Sequence, residues 1–82
     1  MYISVEISYY PLIENFEQAI NDLLEQFSNQ SNVSVEVGSM SSLISGNYDE
    51  VMELLNSSMK ILMEKYPSVF NLKIANACEV KE

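Results

Sequence analysis

Apolar and polar residues alternate over positions 2–9, YISVEISY. Ile3, Val5, Ile7 and Tyr9 share one side of an extended chain, and Tyr2, Ser4, Glu6 and Ser8 share the other. That period of two predicts a half-buried strand, stopped at Tyr10-Pro11 because proline has no N–H for a ladder. The period then changes. Phe16, Ile20, Leu23, Leu24 and Phe27 fall on one helical face, with Glu17, Asn21, Asp22 and Glu25 turned outward. Asn15, with Gln18 three residues on, has the form of a capping box that starts this helix. The polar stretch from Ser28 to Asn32 ends it.

Alternation returns at Val33, Val35 and Val37, which predicts a second strand. Gly38-Ser39 then forms a tight turn into a third strand over Met40–Ser45, closing a hairpin. Asn47 caps a second helix with Glu50 at the reciprocal position, and Asp49, Glu50 and Glu53 suit the positive end of its dipole. Its apolar stripe is Tyr48, Val51, Met52, Leu55, Met59, Leu62, Met63 and Tyr66, and Pro67 stops it. Phe70, Leu72 and Ile74 open a fourth strand running towards Cys78, and the last three residues fray. The order β-α-β-β-α-β predicts an α+β ferredoxin-like sandwich in one domain over residues 1–82. Strands one and three lie centrally in an antiparallel sheet, with both helices on one face.

The uncovered sheet face then carries Ser4, Glu6 and Ser8, Ser34 and Glu36, Ser41, Leu43 and Ser45, and Asn71, Lys73, Ala75 and Ala77. Small and polar groups of this kind suit either water or a second sheet laid on top. The size of the chain favours the second sheet. At 82 residues it buries only about 60% of its unfolded surface, which favours assembly into a homodimer or homotetramer. Ser42 is on the other parity, with Met40 and Ile44, so its hydroxyl points towards the helices. There it either bonds a backbone carbonyl or lines a polar recess. Asn76 shares parity with Ile74 and poses the same choice.

Composition narrows the chemistry. The chain is 48% hydrophobic, which describes a folded domain, and no apolar run is long enough to span a bilayer. Twelve acids against four lysines, with no arginine and no histidine, give a net charge of −8. Such a charge repels nucleic acid and anionic lipid and attracts cations. Without histidine the commonest general base and metal ligand are missing, and without arginine no bidentate phosphate clamp forms. No CxxC or Gly-rich phosphate loop occurs, and no catalytic constellation or metal site is predicted. The single cysteine precludes an intramolecular disulfide and, with no basic, apolar leader at the N-terminus, points to the cytoplasm.

Three stretches together carry a resemblance: ISVEISYYPL (3–12), GSMSSLISGNYDEVME (38–53) and FNLKIANAC (70–78). Ser8, Tyr10, Pro11 and Leu12 fill a strand-ending Ser-x-Tyr-Pro-Leu pattern. Met40, Ser42, Leu43, Ile44, Gly46, Asp49, Glu50 and Val51 fill a strand-to-acidic-helix pattern. In both respects the chain resembles the YkoF-like family and related single-domain thiamin-binding proteins, although Tyr9 and Glu6 depart from that pattern. The resemblance implies non-catalytic binding of thiamin or its hydroxymethylpyrimidine moiety, linked to vitamin uptake or salvage, in ferredoxin-like domains that pair. It requires no cofactor. Thiamin carries a thiazolium cation that Glu6, Glu36 or an aromatic face stabilises, and an aminopyrimidine that hydroxyls and amides satisfy. The ligand-binding residues expected are therefore Ser8, Tyr10, Glu36, Ser41, Ser42 and Asn76, with Tyr10 stacking on a ring. The competing expectation is a structural or regulatory oligomer that binds no vitamin.

Overall fold

A computed structural model describes residues 1–28, 32–38 and 41–76. The elements are β1 (Tyr2–Pro11), α1 (Phe16–Phe27), β2 (Val33–Val37), β3 (Ser42–Asn47), α2 (Tyr48–Lys65) and β4 (Ser68–Ala75). The sheet order is β2-β3-β1-β4, antiparallel throughout, and both helices cover one face. This is the ferredoxin-like βαββαβ arrangement expected from the periodicity. The expectations for Ser39, Met40, Ala77, Cys78 and the last residues lie outside the described residues.

Register fixes which side chains share a face. Val5 lies between Ile44 of β3 and Ile74 of β4, and Ile7 lies between Ser42 and Leu72. Ile3, Val5, Ile7 and Tyr9 are thereby buried with Ile44 and Val33 beneath Ala19, Leu23 and Phe27 of α1 and Val51, Leu54, Leu55 and Leu62 of α2. Each large aliphatic side chain buried in this layer stabilises the fold by about 1.5–3 kcal/mol relative to exposure.

Four local expectations need correction. β1 does not stop at Tyr9 but pairs on through Pro11, opposite Ser68. The N–H of Leu12 donates to the Pro67 carbonyl on the β4 side at 2.8 Å. Successive N–H groups point to opposite edges of a strand, so the missing donor of Pro11 faces the β3 side, where pairing has already ended at Ile7. On α1, Asp22 is buried, not outward-facing. On α2, Leu54 and Ser58 are buried while Tyr48 and Met63 are exposed, so the core-facing stripe is rotated from the expected one. Finally, the capping boxes are one-sided. Asn15 accepts from the N–H of Gln18, but the Gln18 amide turns forward to Asp22. Asn47 accepts from the N–H of Asp49.

Candidate functional site

Where α1 crosses the β1–β3–β2 end of the sheet, the helical layer does not close completely. A partly open recess of about 100 Å³ remains, lined by Ile7 and Tyr9 of β1, Ile20, Leu23 and Leu24 of α1, and Val37, Gly38, Ser41 and Ser42 of the hairpin. Its walls are aliphatic because alternation turns Ile7 inward from the sheet, while the helical period turns Leu23 downward from α1. Its polar groups come from the hairpin. Gly38 N–H donates to the Ser41 carbonyl at 2.8 Å, which holds the two ends of the turn together at the rim.

Ser42 starts β3 opposite Ile7 and Val37, and it is 5% exposed. Its hydroxyl lines the recess, and no hydrogen-bond partner for it is found among the described residues. It therefore has a donor and two acceptor lone pairs for whatever enters. The Ser41 hydroxyl donates to Glu6 Oε2 at 3.1 Å and keeps its own acceptor capacity. Glu6 also lies 3.9 Å from the Lys73 ammonium across β1 and β4. Among the described residues, no carboxylate, amine or thiol lines the recess itself.

The remaining expected site residues do not converge there. Ser8, Tyr10 and Glu36 have the parity opposite to Ile7, Tyr9 and Val37, which puts them on the open face of the sheet. Tyr10 is exposed beside Val69, so it does not stack on a ring held in the recess. Asn76 is exposed just past β4, at the end of the sheet where Ser4 pairs with Ala75. Roughly 10 Å of strand separates that position from the level of Ser42. Parity with Ile74 predicts the helix-facing side for Asn76, but it lies past the end of β4, exposed, and does not line the recess. Ser41 and Ser42 both border the recess, but the Ser41 hydroxyl is turned to Glu6 on the open face, whereas Ser42 is on the helix-facing side with Ile7.

Two groups without a role in the sequence reading stand beside the site. Tyr9 lines the recess, and its ring stacks on Phe70 with centroids 4.7 Å apart and planes 14° from parallel. Its hydroxyl lies 3.2 Å from Ser68 Oγ, which donates to the Tyr66 carbonyl. Its parity with Ile7 was the available signal. On α1, the buried Asp22 accepts hydrogen bonds from the Tyr66 hydroxyl, the Lys65 ammonium and the Gln18 amide. The Tyr66 hydrogen bond, then the one from Lys65, holds the Asp22 carboxyl below its ordinary value of 3.8, against the opposing effect of burial. The same bond raises the Tyr66 hydroxyl above 10.0. This cluster ties α1 to the end of α2.

A sequence profile of the family described as thiamine-binding protein matches residues 5–81. No curated protein matches the chain. Solved structures share the fold at low identity. A Streptococcus pneumoniae protein is 22% identical with a TM-score of 0.85, covering 98% of this chain and 90% of its own. A protein from Thermotoga maritima, described as a putative thiamine biosynthesis/salvage protein, is 21% identical with a TM-score of 0.83, covering 94% and 85%. A hypothetical protein from Methanocaldococcus jannascii is 19% identical with a TM-score of 0.79, covering 98% and 84%.

Proposed function

The chain belongs to the thiamine-binding protein family, and on that premise we propose that it captures thiamin or its hydroxymethylpyrimidine moiety without transforming it, in vitamin uptake or salvage. The observation that carries this reading is the Ser42 hydroxyl, set in an apolar recess without a hydrogen-bond partner among the described residues. An apolar cavity of about 150 Å³ holds a benzene ring, so some 100 Å³ open at the mouth is on the scale of one ring. A two-ring ligand leaves its second ring outside. The uncharged lining suits the neutral aminopyrimidine, whose ring nitrogens and amine match a hydroxyl that both donates and accepts. The thiazolium cation then lies towards solvent, in the field of a protein of net charge −8. Calorimetric titration with hydroxymethylpyrimidine and thiamin tests this, with the ligand recovered chemically unchanged after incubation. Absence of heat with both, or a converted product, contradicts it.

Pairing with a second copy through the open sheet face is a further part of the proposal. Tyr10 and Val69 are exposed side by side there, next to the small polar residues of β1 and β3. Ala75→Arg or Ser8→Arg, placed on that face, is expected to shift the protein to monomer in size-exclusion chromatography with light scattering. An unchanged mass removes the open face from the assembly.

A further inference from the structure

Among the described residues lining the recess, Tyr9 is the one aromatic. Phe70, its register partner on β4, covers one face of its ring. The other lining residues come from β1, α1, β2, β3 and the hairpin, and none from β4. The sheet order places β3 and β4 on opposite sides of β1. The ring face turned away from Phe70 is therefore the one turned to the recess. Its orientation is fixed at both ends, by the stack below and by the hydroxyl contact with Ser68, which is itself anchored on the Tyr66 carbonyl. A wall held in this way loses no further rotamer freedom on binding.

We propose that Tyr9 is a ligand-contacting, specificity-determining residue, a flat wall that extends the Phe70–Tyr9 stack onto a planar heteroaromatic ring and discriminates against a saturated ring of the same size. The inference rests on the reading of the recess as a small-molecule site and adds what selects the ligand there. Stacking depends on a π-face, so phenylalanine replaces tyrosine but leucine does not.

The test titrates wild type, Tyr9→Phe and Tyr9→Leu with hydroxymethylpyrimidine and with cyclohexylmethanol, and follows the pyrimidine ring proton by NMR. Expected are an upfield ring-current shift in wild type, affinity within about twofold for Tyr9→Phe, and about tenfold weaker pyrimidine binding for Tyr9→Leu. Preference over cyclohexylmethanol is expected to shrink in Tyr9→Leu. Undiminished pyrimidine affinity in a cooperatively melting Tyr9→Leu, or an unshifted ring proton in wild type, overturns the role of Tyr9 and leaves the binding function standing. If Tyr9→Leu does not fold, the wild-type NMR shift and Tyr9→Phe decide. Failure of wild type to bind the pyrimidine at all removes both.

Discussion

Replacing Ser42 by alanine separates a binding hydroxyl from a structural one. In the free protein the Ser42 hydroxyl faces the recess and meets no protein partner among the described residues, so its removal breaks no internal hydrogen bond. Stability is then expected to change by less than about 0.5 kcal/mol, which for a domain of this size is within about 4 °C in Tm. In the complex the same change removes one hydrogen bond to the ligand. The net worth of such a bond is about 0.5–1.5 kcal/mol, so Kd rises by roughly 2- to 13-fold. Thermal melting of the free protein and calorimetric titration with hydroxymethylpyrimidine read the two quantities independently. A large fall in Tm refutes the reasoning, because it shows that the hydroxyl is satisfied by the fold. An unchanged Kd in a stable variant refutes it from the other side, because no ligand then touches Ser42.

Three further changes probe the frame that holds the recess. Ser58 is 1% exposed on α2 and its hydroxyl has no partner among the described residues, so Ser58→Ala is expected to stabilise by about 1 kcal/mol or more and to raise Tm by about 4 °C or more. A lowered Tm would show that the hydroxyl is in fact satisfied. A Cβ at Gly46 meets the Asn32 carbonyl oxygen at 3.2 Å and Val51 Cγ2 at 3.3 Å, so Gly46→Ala is expected to cost about 1–3 kcal/mol in chemical denaturation, and an unchanged midpoint contradicts it. The Asp22 carboxyl titrates below 3.8, so its stabilising effect is complete above that value and is lost as pH falls through the lower folded-state value. Tm of Asp22→Asn is therefore expected to lie below wild type near neutrality, with the gap narrowing at strongly acidic pH. A gap of constant size across that range argues against the carboxylate's role.

The fold was legible because its pattern is consistent at several levels. Ile3, Val5 and Ile7 alternate, Phe16 to Phe27 recur at helical spacing, and Asn15 and Asn47 mark the helix starts. What periodicity does not carry is the match between elements. Asp22 reads as solvent-facing on its own helix, and only the arrival of Lys65 and Tyr66 from α2 accounts for its burial. Ser42 was legible by parity with Ile44. Ser41 was legible as a serine of the hairpin, though its bond to Glu6 was not. Tyr10 drew attention as the aromatic beside Pro11, yet the pleat turns it outward and turns Tyr9 in. Glu36 and Ser8 were legible by parity as residues of the uncovered face, and the register keeps them there, away from the recess. The depth of the recess depends on how far α1 stands from the hairpin, a distance with no signature in a single chain's spacing.

Capture of a small heteroaromatic vitamin component, without transforming it, is the function proposed for the recess. The most direct test is thermal melting of the folded protein against hydroxymethylpyrimidine, thiamin, thiamin phosphates and unrelated organic cations. A ligand at one hundred times its Kd that binds only the folded state adds about 2.7 kcal/mol, which for a domain of this size raises Tm by about 10 °C or more. That rise is expected with the pyrimidine or thiamin, and none with the unrelated cations. A cooperative transition that no pyrimidine-containing compound moves contradicts it and leaves a structural or regulatory oligomer as the reading that remains.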